Sequence, residues 1–174
     1  MEAQSSKSKK KNGLSEFRMF ALRVLICVFV LYVLFAHIIG VMSMPNADMY
    51  PRIDSGDFLL YYRLDKEPKA QDIVVLEKNS TRYVGRVIAC GGDTVEITKD
   101  GAIIINGYTM SETNIFYETY PLDGFTEYPL NLGADECFVL ADQRRGSEDS
   151  RFYGPVKYDE LDGTVISVFK RNNL

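Results

Sequence analysis

The feature that most constrains this chain is an uninterrupted apolar run near its start. Residues Val24 to Met42 read VLICVFVLYVLFAHIIGVM, nineteen residues without Asp, Glu, Lys or Arg. A helix of this length rises about 28 Å at roughly 1.5 Å per residue, which is close to the hydrocarbon thickness of a bilayer. A buried helix of a soluble core is the alternative, but such a helix would present a polar face that this run lacks. We therefore predict a transmembrane anchor over residues 24–42.

The residues around this run predict how the chain is oriented. A cleaved signal peptide would have a shorter apolar region and small residues three and one before the cut, and FAHIIGVMSM offers no such site. Residues 1–23 carry a net charge of +4, whereas the nearest basic residue after the run is Arg52. Because Lys and Arg flanking an anchor stay on the cytoplasmic side, we expect a cytoplasmic tail (1–23), a single-pass anchor in the cell membrane and an extracytoplasmic domain (43–174).

The predicted outer domain is rich in short strands and acidic. The whole chain has a net charge of −4, so residues 24–174 carry −8, which argues against nucleic-acid binding. Short runs rich in β-branched and aromatic residues are bounded by turn residues. We predict an all-β fold with an antiparallel or mixed sheet and these strands: DFLLYYRL (57–64), DIVVLEK (72–78), RYVGRVIA (82–89), TVEITK (94–99), AIIING (102–107), ECFVLA (136–141) and GTVISVF (163–169).

Two dipeptides predict the turns between neighbouring strands. Asp100-Gly101 separates two of the runs and indicates a hairpin in which both central residues have positive φ. Asn106-Gly107 marks another turn. Between residues 107 and 135 the pattern is irregular and aromatic. Two interpretations stay open there: a long loop that packs its aromatic rings onto the sheet, or an exposed aromatic docking surface.

Cysteine and histidine usage gives no sign of a metal or cofactor. His37 is the only histidine and lies in the predicted anchor, and the chain has no CxxC motif, so we predict no metal site and no cofactor. Cys27 is an apolar filler of the anchor. Cys90 and Cys137 lie in the outer domain, where a disulfide is chemically possible, although two cysteines in separate strands more often stay apart.

Four stretches stand in an order that resembles one enzyme family. They are DMYP followed by SGD (48–57), QDIVVLEK (71–78), YVGRVIACGGDTVEI (83–97) and LADQRRGSEDSRFYGPV (140–156). Together with one N-terminal anchor, they resemble the type I signal peptidases, especially the short Gram-positive kind. The resemblance covers nearly all of the chain from the anchor to about residue 169. It implies a signal-peptidase-type antiparallel or mixed sheet domain preceded by one transmembrane helix. It also implies that members of the family act as serine–lysine proteases on the outer face of the membrane.

Two positions depart from that family's pattern. Its nucleophilic serine begins a Ser-Met-x-Pro turn, and its lysine base lies in Tyr-Val-Lys-Arg-Val. In this sequence the corresponding residues are Asp48 and Gly85. Ser43-Met44-Pro45 is not an alternative register, because Gly56 follows Asp48 by eight positions, as in the family, but follows Ser43 by thirteen. The resemblance therefore implies that both catalytic groups are absent.

The chemistry of these residues agrees with a loss of catalysis. A serine must pass its proton to a base that is neutral near pH 7, and Gly85 supplies none. Asp48 is ionised at an ordinary pKa near 4 and would repel the negative charge that develops on the scissile oxygen. Tyr83 is a poor proton acceptor at an ordinary pKa near 10. We therefore predict that the chain is not an enzyme.

Other residues of the family's site persist. The resemblance places Asp142, Ser147, Asp149 and Arg151 at positions that support the site. Without the lysine, an ordinary ion pair between Asp149 and Arg151 that fixes a loop is the better interpretation. In the family, the substrate lies extended beside the strand preceding the lysine and the chain leading into the serine. The residues that we predict to line this cleft are Asn46, Met49, Tyr83, Val84 and Arg86.

The predicted function is a membrane-tethered, non-catalytic peptide-binding chaperone or scaffold. The resemblance extends to the signal-peptidase-like proteins encoded with Gram-positive pili, which implies sortase-dependent pilus assembly with a pilin subunit, the pilus sortase, or both as partners. One alternative is an active membrane peptidase in which Ser43, Ser55 or Ser147 serves as nucleophile. A second is a structural membrane protein whose cleft is filled by its own segment 107–135.

Overall fold

The computed structural model describes residues 2–112, 115 and 117–171, with side chains from residue 15 onward. The chain divides into two compact units at the junction of Ile38 and Ile39. The first unit is helical and the second is built from strands. Each unit is described separately below.

The first unit is one long helix that ends in a wider turn. Helix α1 spans Glu2–Val33 and continues as a single π-helical turn over Leu34–Ile38. Within it, the segment Ser15–Ile38 contains an 18-residue window with a mean hydropathy of 2.6, and none of that window is buried. A helix that is apolar on all sides is suited to lipid, so this segment is long and apolar enough to cross a membrane.

The predicted anchor and the observed helix end at different residues. Residues 39–42 belong to the apolar run but lie in strand β1, Ile39–Ser43, which pairs antiparallel with residues 58–62. The pairing runs from Ile39 opposite Tyr62 to Ser43 opposite Phe58. An apolar run suits a buried strand as well as a helix, so hydropathy alone could not locate this change.

The second unit contains two antiparallel sheets. The larger has the order β1-β2-β11-β3-β4-β9-β10 and the smaller β7-β6-β5-β8. The prediction left open an antiparallel or a mixed sheet. Every strand pair in the described residues is antiparallel. Besides β1 the elements are β2 Phe58–Tyr62, β3 Ile73–Lys78, β4 Thr81–Ala89, β5 Thr94–Ile97, β6 Ile103–Ile105, β7 Tyr108–Thr109, β8 Leu130–Asn131, β9 Glu136–Leu140, α2 Ser150–Tyr153, β10 Val156–Lys157 and β11 Leu161–Phe169, with a 3₁₀ turn over Tyr158–Glu160.

The turns show where local sequence was informative. The β5–β6 hairpin forms as predicted, but only Gly101 has positive φ (84°), and Thr98 and Ala102 bracket a three-residue loop. The prediction that Asp100 also has positive φ was therefore wrong. Asn106 and Gly107 both have positive φ and connect β6 to β7, as a two-residue hairpin turn requires.

The strands enclose three clusters of buried side chains. One lies beneath the start of the outer domain and includes Met44, Met49, Ile53 and Val84. A second includes Val74, Val87, Cys137 and Val139. The third joins the two sheets through residues such as Ile88, Ile97 and Phe138. The sites discussed below lie around the first two clusters.

The aromatic segment 107–135 divides between the two interpretations. Tyr128 is partly buried and packs its ring edge-on against Phe138. Tyr108 and Phe125 are 80% and 54% exposed. Phe116, which belongs to the predicted aromatic set, lies outside the described residues. The cysteines Cys90 and Cys137 are both free thiols in this structure, and burial raises the pKa of Cys137 to about 12.

Candidate functional site

The turn that carries Asp48 is fixed at both ends by backbone hydrogen bonds. The N–H of Met44 donates to the carbonyl of Asp57, and the N–H of Gly56 donates back to the carbonyl of Met44, both within 2.9 Å. Met49 and Ile53 are fully buried and anchor the middle of the turn in the core. Asp48, which lies between these anchors, is thus held in place while its side chain stays partly exposed.

Both carboxylate oxygens of Asp48 accept hydrogen bonds. The Ser147 hydroxyl donates to Oδ1 at 2.8 Å, and the Asn46 side-chain amide donates to Oδ2 at 2.6 Å. The N–H of Gln143 also donates to the Asp48 carbonyl at 2.8 Å. The bonds from Ser147 and Gln143 join residues that are about a hundred positions apart in sequence, and they bring the first of the four predicted motifs against the fourth.

Gly85 lies in β4 opposite Val74 and faces a filled space. A Cβ atom at this position would lie 2.5 Å from Val139 Cγ1 and 3.1 Å from the Leu140 carbonyl oxygen. Val139 is fully buried in the second core cluster. Real Cβ atoms do not approach another atom as closely as 2.5 Å, so any side chain at position 85 requires Val139 to move.

Tyr83 lies two residues before Gly85 and is hydrogen-bonded to an acid. Its hydroxyl donates to Glu148 Oε2 at 3.0 Å, and its ring packs against Tyr153 with centroids 5.0 Å apart. Burial and the Glu148 carboxylate raise the pKa of Tyr83 above its ordinary value near 10. Its phenolate is therefore even less available near pH 7 than the sequence suggested.

Behind the cleft, Asp142 forms a bidentate ion pair with Arg86. The Arg86 Nε and Nη2 atoms donate to the two Asp142 oxygens at 2.8 and 2.6 Å, and Nη1 donates to the Gln71 carbonyl at 3.1 Å. Both side chains are at least 95% buried. This pair fixes β4 to the chain that follows β9.

Asp149 and Arg151 form a second buried, bidentate pair. Asp149 caps helix α2 by accepting the Arg151 N–H, and the Arg151 guanidinium bonds both Asp149 oxygens at 2.8–2.9 Å. Arg151 also donates to the Arg144 carbonyl at 2.8 Å. The geometry agrees with the interpretation of these residues as an ion pair that fixes a loop.

Sequence reasoning missed Arg144, which is buried like Arg86 and Arg151. Its side chain is 0% exposed and donates to the Ala141 carbonyl, the Thr119 hydroxyl and, at 2.6 Å, Glu112. It thereby holds the aromatic segment against the loop of the fourth motif. Two arginines stand side by side at positions 144 and 145, and nothing in the sequence predicted that Arg144 is buried and Arg145 exposed.

The five predicted cleft residues are not equally accessible. Asn46 is exposed and Tyr83 is partly exposed, whereas Met49, Val84 and Arg86 are at most 6% exposed. The buried side chains belong to the core or to the Arg86–Asp142 pair. As placed here, they can shape the floor beneath a peptide but do not contact it directly.

The backbone near Asp48 presents two open strand edges. Within the described residues, β1 pairs only with β2, and Thr81–Gly85 of β4 pairs only with β3, because the β4–β9 ladder begins at Arg86. Unpaired N–H and C=O groups at such edges accept an additional extended strand. The site therefore combines a partly exposed, hydrogen-bonded carboxylate with two backbone edges.

Comparison with known proteins identifies relatives over most of the chain. The family model described as "Signal peptidase, peptidase S26" matches residues 17–170. Signal peptidase I S of Bacillus subtilis is 29% identical over 154 residues, which cover 83% of this chain and 81% of that protein. Thylakoidal processing peptidase 1 of Arabidopsis thaliana is 26% identical over 141 residues, 71% of this chain and 40% of that protein.

A solved structure is also similar. The crystal structure of a signal peptidase I from Enterococcus faecalis is 30% identical with a TM-score of 0.47, covering 57% of this chain and 97% of that one. The chain spans only 40–66% of the length of several curated relatives that it matches. These relatives are named as peptidases.

Proposed function

The chain belongs to the signal peptidase S26 family, and we propose that it is a non-catalytic member that binds extended peptide segments at the Asp48 site. The relatives' names point to peptidase activity in those proteins. Our proposal of a lost activity rests on the residues at two positions of this chain, Asp48 and Gly85.

The chemistry at Asp48 opposes hydrolysis of an amide. A carboxylate that attacks an amide forms an anhydride, which the departing amine readily reverses. The same negative charge repels the oxyanion that an acyl-transfer site must stabilise. At the base position, Gly85 has no proton acceptor, and the raised pKa of Tyr83 removes the nearest substitute. No proton path for a nucleophile remains at these positions.

One observation carries the proposal. The Ser147 hydroxyl donates a hydrogen bond to Asp48 at 2.8 Å. The resemblance leads us to expect a lysine between the nucleophilic serine and the residue at position 147, but here the two positions contact each other directly. The remaining polar groups of the site thus form hydrogen bonds with one another in the absence of the lysine base. A site that is stable in this form still offers its strand edges to a peptide.

The proposed binding mode is strand addition. A peptide laid along Thr81–Gly85 exchanges main-chain hydrogen bonds with β4, and the edge of β1 can hold its other side. Such bonds depend little on the peptide's sequence. Asp48 and Glu148 add two negative charges near this path, which favours segments without acidic residues there.

For the partner, we propose a pilin subunit, the pilus sortase, or both. This rests on the resemblance to the signal-peptidase-like proteins encoded with Gram-positive pili. We also propose that α1 anchors the chain in the cell membrane with residues 1–23 in the cytoplasm. A tethered site would then act on segments that emerge on the outer face, as a chaperone or scaffold for sortase-dependent assembly.

The proposal is tested by titrating the full chain in detergent micelles with purified pilin and, separately, with sortase. A fragment that begins at residue 43 is unsuitable, because it removes most of β1. We expect saturable binding without a cleavage product. Asn46→Trp places a large ring beside Asp48 and should abolish binding, whereas Lys99→Trp on the exposed end of the small sheet should not. Absence of binding at high micromolar concentration to both partners would refute them as ligands.

A second function has one observation in its favour. The Ser147–Asp48 hydrogen bond has the form of a nucleophile beside a base, so an active peptidase could use Ser147. Ser147 is 7% exposed, which leaves little room for a scissile bond. Turnover of a secretory precursor that is lost in Ser147→Ala but kept in Ser43→Ala and Ser55→Ala would establish this alternative.

A further inference from the structure

A gap opens in the large sheet where β3 separates from β11. The two strands pair from Leu161 opposite Leu76 to Thr164 opposite Val74, and the ladder then ends. The preceding residues turn away instead: Gln71 has a positive φ of 77°, and Gln71 and Asp72 bond to the backbone of Val87 at 2.8 Å. Strand β11 meanwhile continues to Phe169 along β2.

This separation leaves a groove of about 640 Å³. One wall is Val165–Val168 of β11, and the other is formed by residues 71–73 with the side chain of Arg86. Arg52 lies at its rim. We call this surface the β11 groove. In the strand order the groove lies on the β11 side of β3, whereas the open edge of β4 at Thr81–Gly85 lies on the other side of β3.

The β11 wall has an open backbone edge. Residues 165 and 167–169 pair with β2 on one side, and no described residue hydrogen-bonds to the backbone of 165–168 on the other. Alternate N–H and C=O groups of these residues therefore face the groove. The partly buried side chains of Val165 and Val168 pack against the core beneath, so the edge is rigid enough to accept another strand.

The charged groups at the groove favour an acidic ligand. The Arg52 guanidinium forms no hydrogen bond or ion pair with any described residue. Arg86 uses three of its five N–H groups for Asp142 and the Gln71 carbonyl. Among the described residues that line the groove, the acidic one is Asp72, whose Oδ2 already accepts the Lys69 N–H at 2.8 Å. Since Asp142 already neutralises the charge of Arg86, the Arg52 guanidinium is the group that is suited to a carboxylate of the ligand.

From the open edge and these cations, we propose that the β11 groove binds an extended acidic segment of a partner protein by strand addition. The peptide backbone pairs with Val165–Val168, and an Asp or Glu side chain meets Arg52. This is a second peptide site, and it does not depend on the proposed function of the Asp48 site.

The test uses the full chain in detergent micelles and a fluorescein-labelled octapeptide that alternates Glu and Val. We expect saturable binding, and protection of 165–168 from hydrogen–deuterium exchange when the peptide is present. A peptide with Lys in place of Glu should bind weakly, and N-methylation of alternate peptide nitrogens should abolish binding. Arg52→Gln should weaken binding by about threefold to fivefold, as for an exposed ion pair.

Two further variants locate the effect. Lys99→Gln removes one charge from the small sheet and should leave binding unchanged, and Asn46→Trp at the Asp48 site should also leave it unchanged. The proposal is overturned by no binding at millimolar peptide, by equal binding of the N-methylated peptide, or by an Arg52→Gln variant that binds normally. Protection of 165–168 that rises with protein concentration alone would assign the groove to a second copy of the chain and overturn it too.

Discussion

The polar residues of the outer domain form two regions that differ in how completely their charges are paired. Behind the cleft, Arg86, Arg144 and Arg151 are buried and each contacts a carboxylate. At the cleft itself, Asp48 and Glu148 have only neutral hydrogen-bond donors. We call the first region the framework, because its charges are paired inside the protein. In the second region the carboxylates have no cationic partner among the described residues. We therefore expect folding to depend on the framework, and we expect the proposed ligand binding to depend on the residues around Asp48.

The largest effect is expected from breaking the framework. Arg151→Ala leaves the Asp149 carboxylate buried without its cation and removes donors to two carbonyl groups, so we expect a loss of about 3–5 kcal/mol of unfolding free energy. Urea denaturation of the full chain in micelles, followed by circular dichroism, measures it. Arg82→Ala is the control, since Arg82 pairs with Asp162 at a half-exposed position and should cost less than about 1 kcal/mol. Similar losses for the two variants would contradict the distinction.

A smaller loss of unfolding free energy is expected from a substitution at Gly85, which lies against the core. Gly85→Ala forces a Cβ against Val139, and overpacking of this kind costs about 1–3 kcal/mol. Gly133→Ala is a suitable comparison, because its nearest contact would be 3.2 Å from a Glu136 side-chain oxygen. In the background of Val139→Ala, the Gly85→Ala change should cost less. Additive effects of the two substitutions would show that Val139 is not the obstacle.

The same contact limits any restoration of catalysis. Asp48→Ser with Gly85→Lys supplies both missing groups, but we expect weak cleavage of a secretory precursor at most, because the lysine stem must displace Val139 and find a dry pocket. Adding Val139→Ala should raise the rate. Efficient turnover by the double variant alone would mean that Val139 yields easily.

Within the cleft, removing one hydrogen bond should have a small effect on stability. Ser147→Ala deletes the donor to Asp48, whose carboxylate is partly exposed and regains water, so we expect a loss of about 1 kcal/mol or less. Urea titration measures this change beside Arg151→Ala. A loss as large as that of Arg151→Ala would place Asp48 in the framework.

The smallest effect concerns pH and Asp57, which holds the far end of the Asp48 turn. Burial alone would raise its pKa, but hydrogen bonds from the N–H groups of Asp54 and Arg171, with Lys170 nearby, lower the pKa below 3.8. The contribution of Asp57 to the free energy of unfolding is therefore complete above the pKa of the unfolded state. It is lost as the pH falls through the lower pKa of the folded state. Thermal melts between pH 5 and roughly pH 2 should show a slope that Asp57→Asn reduces. An unchanged slope would exclude Asp57 as its source.

The sequence predicted the strands better than the side-chain environments. Each of the seven predicted runs contains a strand, because alternating apolar residues and Gly or Asn turns act locally. The change from helix to strand at Ile39 was missed, since apolar residues serve both. Burial of Met49 and Val84 and the network of Arg144 depend on contacts between distant segments, which a single sequence does not reveal. The family resemblance, in contrast, placed Asp48 and Ser147 in one site, and a hydrogen bond joins the two side chains in the structure.

The most direct test of the account is whether this polypeptide cleaves a secretory precursor. Full chain in micelles is incubated in stoichiometric amount with a labelled precursor, and products are identified by mass spectrometry. The account predicts that the precursor is bound and recovered intact. A product cut at the signal-peptide junction, formed by the unmodified chain and absent when Asp48 or Ser147 is changed to Ala, would contradict it.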